Sequence, residues 1–126
     1  MKRIVLSLEA PKPVGPYSQA VISDKFVFCS GQIGIDPFTG KLVQGGLEAE
    51  TRQCLSNLEH VLTSIGLITR NVVKTTVFVT DLDDLKLINE LYAQKFPKDP
   101  PARSIIEVRK LPLNAKIMIE AVAETY

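Results

Sequence analysis

The stretch VVKTTVFVT, residues 72–80, is β-branched or aromatic at nearly every position and therefore reads as a strand. Its alternate positions are apolar or small on both sides. KFVFCSG, residues 25–31, has the same property. A strand that is apolar on both sides is usually covered on both sides. The chain offers only two long helical patterns, and two helices cover only one face of such a sheet. Something must cover the other face. A second copy of the chain is the simplest cover; a loop laid over the sheet of a monomer is the alternative.

The remaining elements follow from local pattern. KRIVLSL (2–8) and YSQAVIS (17–23) read as strands, separated by the Pro/Gly connection EAPKPVGP. A tight turn at Ser23–Asp24–Lys25 leads into KFVFCSG. IDPFTGKLVQGG is a loop with turn chemistry at Asp36–Pro37 and Thr39–Gly40. GLEAETRQCLSNLEHVLTSIG (46–66) places Leu47, Cys54, Leu55, Leu58, Val61, Leu62 and Ile65 on one helical face. Glu48, Glu50, Arg52, Gln53 and Glu59 fall elsewhere on it, and Gly66 is a natural stop. Asp81, Asp83 and Asp84 offer N-caps for a second helix, DLKLINELYAQKF (84–96), which Pro97, Pro100 and Pro101 end. ARSIIEVRK (102–110) and AKIMIEAVAE (115–124) are strands around a turn at residues 111–114. The order β-β-β-α-β-α-β-β predicts an α+β fold with about six strands and two long helices on one face. A length of 126 residues fits one domain over 1–126.

Several functions are disfavoured. A net charge of +1 without a run of Lys or Arg argues against a nucleic-acid or membrane surface. No segment approaches the ~20 apolar residues of a membrane-spanning helix. The start, MKRIVLSLEAPKP, has too short an apolar run for a signal peptide and meets Glu9 and Pro11. The expected location is the cytoplasm. Cys29 and Cys54 lie far apart and read as two buried, reduced thiols. His60 is the only histidine, which excludes a His-based metal site, and it sits beside the apolar stripe of the first helix. No metal is expected.

Arg103 is the residue that needs explaining. It stands at the mouth of a strand behind three prolines and shares one face with Ile105 and Glu107. Its planar fork suits a carboxylate or phosphate. An ion pair with Glu107, Glu120 or a neighbouring subunit is the structural alternative. GPYSQA supplies Tyr17, a hydrogen-bond donor at neutral pH or simply a turn aromatic. SGQIGIDP puts Ser30 and Gly31 at a strand end, in a pattern that is neither GxGxxG nor a P-loop. Asn89 and Tyr92 lie one turn apart on the second helix and can share a side of it. No carboxylate dyad or Ser-His-Asp order assembles. The inventory is that of a binding pocket, or of an enzyme whose substrate is already reactive.

Taken together, APKPVGPYSQA, FCSGQIGIDPFTGKLV, VVKTTVFVTDLDDLKLINELY, PPARSIIEV and IMIEAVA, in that order, resemble the RidA (YjgF) family of reactive-intermediate deaminases along the whole chain. The resemblance implies a chorismate-mutase-like fold and a homotrimeric barrel with clefts between subunits. It also implies hydrolysis of 2-aminoacrylate and related enamines and imines, released by pyridoxal-phosphate enzymes, to 2-keto acids and ammonia, with no cofactor. Arg103 matches the carboxylate-binding arginine. Tyr17, Ser30, Gly31 and Asn89 match positions lining the cleft, with Tyr17 a candidate proton donor. The chain departs from many members at two positions. Ile105 stands where they carry a cysteine. Met118 stands where many deaminases carry a glutamate that holds the attacking water, whereas the second glutamate is retained as Glu120. A strand places Met118 and Glu120 on one face but ~7 Å apart, so Glu120 does not simply replace the first. A weakened deaminase is therefore one expectation. A non-catalytic trimer binding small 2-keto acids is another, and an RNA-cleaving or translation-inhibiting protein is a third.

Overall fold

The computed structural model describes residues 1–125. Its strands are β1 (Arg3–Val5), β2 (Ala20–Ser23), β3 (Phe26–Gln32), β4 (Val72–Val79), β5 (Ala102–Glu107) and β6 (Ile117–Glu124). The two helices are α1 (Gly46–Thr63) and α2 (Leu85–Lys95). The strands form one mixed sheet in the order β1-β2-β3-β6-β4-β5. Every pairing is antiparallel except β4–β5, which α2 connects as a parallel crossover. The α+β class, the six strands and the element order agree with the pattern of the sequence.

Strand alternation divides the sheet into two unlike faces. Val27, Cys29, Thr75, Val77, Ile117, Ile119 and Ala121 are buried on the helix side. They pack with Cys54, Leu58, Val61 and Leu62 of α1 and Ile88 and Tyr92 of α2. The opposite face is open in the isolated chain, and Phe28 on it is 49% exposed. Register places directly opposed residues in rows across this open face. One row is Met118–Phe78–Ile106, the next Glu120–Thr76–Ser104, and the third Phe28–Val122–Lys74–Ala102. The sequence reading that one face needs further cover thus matches a face that the two helices leave bare.

Some boundaries and environments differ from the sequence reading. The strand expected over 17–23 begins only at Ala20, and the one expected over 2–8 ends at Val5. Side-chain bonds replace the ladder between them. The buried Gln19 amide accepts from the Ser7 N–H (2.6 Å) and donates to the carbonyls of Ser7 (3.1 Å) and Pro11 (2.9 Å). Glu50, expected on the polar side of α1, is buried instead. Its Oε1 accepts the Lys116 N–H at 2.7 Å, a side-chain acceptor satisfying a backbone donor that strand pairing leaves over. Helix α1 can approach there because residue 34 is glycine; a Cβ on Gly34 would lie 2.8 Å from the Glu50 Cα. Of the three candidate aspartate caps, Asp81 accepts from Asp83 N–H at 2.9 Å at the short 3-10 turn Leu82–Asp84. Asp84 precedes α2 without a side-chain bond.

Candidate active site

Arg103 is placed by the edge strand β5. Its register partner on β4 is Thr75, and both point to the helix side of the sheet. The guanidinium carbon lies 4.9 Å from the centre of the Tyr92 ring on α2, within cation–π range. Tyr92 is itself fixed. Its ring packs on Phe96 at 4.5 Å, and its hydroxyl lies 2.6 Å from Thr75 Oγ1. Burial raises the Tyr92 pKa, against smaller lowering effects from the Thr75 hydrogen bond and the Arg103 charge. The tyrosine is therefore a neutral platform under the cation.

Beyond the Tyr92 ring, the guanidinium has no anionic partner among the described residues, since no carboxylate there lies within ion-pair distance of it. Glu107, one alternative partner, accepts the Leu82 N–H at 3.1 Å. Glu120, the other, belongs to the open face and lines a shallow cavity of about 150 Å³ with Phe28, Lys74, Thr76 and Val122. Ile105 points the same way as Arg103 and packs against the core. Asn89, one turn before Tyr92 on α2, is exposed while Tyr92 is buried.

A second group gathers at the end of β3. The β3–β6 register shifts between Cys29 and Gln32, so Ser30 and Gly31 sit in an irregularity. Ser30 Oγ donates to the Ser18 carbonyl at 2.6 Å, and Ser30 N–H donates to the Gln19 carbonyl at 2.9 Å. These bonds hold the segment that carries Tyr17. The Tyr17 ring is half exposed, and among the described residues its hydroxyl accepts only a long bond from Val14 N–H at 3.4 Å. Its proton is left free to donate. Gly31 faces Met118 on β6 so closely that a Cβ there would lie 2.6 Å from the Met118 sulfur.

The sequence-predicted residues therefore fall into two groups within one chain. Arg103 and Ile105, with Tyr92 beside them, lie at the β5 edge. Tyr17, Ser30, Gly31 and Met118 lie at the end of β3. Two strands, β6 and β4, separate β3 from β5, a span of roughly 14 Å. Arg103 faces the helices, and Met118 faces away from them. Sequence reasoning missed the role of Thr75 and the packing of Tyr92 beneath Arg103. The signal was the inward parity of Thr75 in a strand whose next threonine points outward.

The fold and site define an α+β protein with an available guanidinium at a sheet edge and, at the far side of the same sheet, an irregular strand end where Gly31 packs against Met118. The family described as Endoribonuclease L-PSP matches residues 7–125. The chain is 45% identical over 123 residues to the human 2-iminobutanoate/2-iminopropanoate deaminase, covering 98% of this chain and 90% of that protein. A solved Thermotoga maritima structure superposes with a TM-score of 0.97 at 48% identity, covering 100% of this chain and 99% of that one. Escherichia coli TdcF, solved with bound serine, superposes with a TM-score of 0.92 at 38% identity, covering 97% and 98%. The chain belongs to this family, the RidA (YjgF) family whose motifs it carries. Among the described residues no helix is long and apolar enough to cross a membrane.

Proposed function

We propose that the protein hydrolyses 2-enamino and 2-imino acids, such as 2-aminoacrylate, to 2-keto acids and ammonia. In this reading it acts as a homotrimer in the cytoplasm and removes by-products of pyridoxal-phosphate enzymes. The observation that carries the proposal is the Arg103 guanidinium, held on Tyr92 with no anionic partner among the described residues and separated from Tyr17, Ser30 and Gly31 by two strands of its own sheet. Such a site is complete only when the β5 edge of one protomer meets the β3 end of another. The open sheet face supplies the surface for that meeting. The human relative's name supports the chemistry, and the serine on TdcF supports a small amino-acid-like ligand. Two buried, unpaired thiols suit a reducing compartment.

The chemistry asks little of the protein. A protonated imine is already electrophilic. Arg103 holds the carboxylate, and water adds to the C=N carbon. One water proton passes to the nitrogen; the C–N bond then breaks as the remaining hydroxyl gives up its proton to solvent and becomes the carbonyl, and ammonia leaves. Orientation and charge stabilisation are the protein's part. In this reading Tyr17 donates a proton to the departing nitrogen and regains one from the added water. The Met118 thioether cannot accept a proton from water, and loss of a general base costs about 10²–10⁴-fold, so the turnover expected here is modest.

The test is a serine dehydratase reaction supplemented with the purified protein. Faster decay of the imine absorbance is expected. No acceleration at any protein concentration rejects the enzyme. Calorimetric binding of 2-oxobutanoate without turnover would instead select a trimer that only binds keto acids. The family description favours one further reading, RNA cleavage. RNA degradation that survives Arg103→Ala would place that activity elsewhere.

A further inference from the structure

Gly31 and Met118 occupy one volume between them. A Cβ on Gly31 would meet the Met118 sulfur at 2.6 Å and its Cγ at 2.8 Å. The thioether therefore takes the place of a side chain at position 31 and walls the bare backbone there. Met118 is partly exposed. Its register partner on β4 is Phe78, and the partner of Phe78 on β5 is Ile106, itself 45% exposed. An apolar row thus runs from Gly31 to the sheet edge. The adjoining row, Glu120–Thr76–Ser104, is polar. The surface changes character within one strand repeat, and Gly31 touches the apolar row.

We infer that Met118 determines specificity in this site, selecting 2-imino acids with apolar side chains longer than a methyl over 2-iminopropanoate and over acids with polar side chains. The inference rests on the deaminase reading. In that reading a substrate held by Arg103 of one protomer, with its reacting carbon at the Gly31 backbone of another, lays its side chain against the wall at Gly31. That wall is a thioether. It offers no strong acceptor to a hydroxyl or carboxyl, so a polar side chain would lose water without replacement. Each methylene removed from water favours binding by roughly fourfold. Methionine's unbranched, flexible chain fits linear and branched partners alike.

The test uses imino acids generated by an amino-acid oxidase from alanine, norvaline, leucine and glutamine, with kcat/KM measured for each. The norvaline- and leucine-derived imines are expected to exceed the alanine-derived one by at least about tenfold, the residue of a fourfold gain per methylene after imperfect burial. Met118→Leu should keep that order. Met118→Gln should shift it toward the glutamine-derived imine. Thermal melting of both variants shows whether each is folded. Equal kcat/KM across the series, or an order that Met118→Gln leaves unchanged in a folded protein, overturns the inference and leaves the deaminase intact. Absence of hydrolysis of every imine by the wild type overturns both.

Discussion

Arg103 lies over the ring of Tyr92, 4.9 Å from its centre, and Tyr92 is pinned by a 2.6 Å hydrogen bond to Thr75. The strand that carries Arg103 pairs in parallel with the strand that carries Thr75, at that same register position. The cation, the ring and the hydroxyl therefore form one stack whose parts come from β5, α2 and β4. A guanidinium held in this way has little conformational freedom left to lose when it meets an anion.

Removing the cation should abolish carboxylate recognition. Arg103→Ala is expected to lower kcat/KM on the order of 10²-fold, from the loss of two charge-assisted hydrogen bonds. Arg103→Lys should recover only part of this, because an ammonium keeps the charge but not the two-pronged geometry. Steady-state kinetics on both variants, with calorimetric titration of 2-oxobutanoate, measures the effect. Wild-type binding by Arg103→Ala would contradict it.

The Thr75–Tyr92 bond should behave as a coupled, buried pair. Thr75→Val and Tyr92→Phe each strand one hydroxyl and should each cost about 1–3 kcal/mol. The double variant should cost less than the sum. Urea denaturation of the four proteins closes the cycle. Strict additivity would show that the two hydroxyls do not act together.

Gly31→Ala introduces a methyl where Met118 already stands. A cost of about 1–3 kcal/mol from overpacking is expected. Because the obstructing atoms belong to one flexible side chain, Gly31→Ala combined with Met118→Ala should recover much of the loss. Melting curves decide this, and no recovery would place the strain in the backbone.

The open face should be an interface. Phe28 is half exposed and faces Val122 across the β3–β6 pair. Phe28→Asp sets a charge on the open face, in the row it shares with Val122, and should convert the expected trimer to monomer, as read by sedimentation velocity. A wild type that sediments as a monomer would remove the basis for a shared cleft.

Both thiols should be silent at neutral pH. Burial pushes Cys29 and Cys54 from the ordinary 9.0 up to about 12. Ellman's reagent should find neither in the native protein and both after unfolding. The folded state holds these protons more tightly than the unfolded chain. The resulting stability is fully present below about pH 9 and is lost as pH rises toward 12. The raised pKa of Tyr92 acts in the same direction. Denaturation midpoints that stay flat across that alkaline range would contradict this.

Much of the fold was legible because its signals are local. Strand alternation in VVKTTVFVT and the apolar stripe from Cys54 to Leu62 depend only on near neighbours in the chain, and both elements appear where the pattern puts them. Arg103 stood out as a cation in an otherwise apolar strand. Glu50 was misplaced because helical spacing records which side a residue is on, but not that a distant N–H, that of Lys116, awaits it there. Gln19 was read as part of a strand because its bonds go to Ser7 and Pro11, which periodicity does not sense.

The sequence by itself determined the elements, their order and their apolar faces, since these follow from side-chain periodicity and turn chemistry over a few residues. Only the tertiary structure decided that Arg103 rests on Tyr92 with no carboxylate partner among the described residues, and that Tyr17, Ser30 and Gly31 lie on the far side of two intervening strands. Strand order and parallel register are set by contacts between segments remote in the chain, and no local pattern records them.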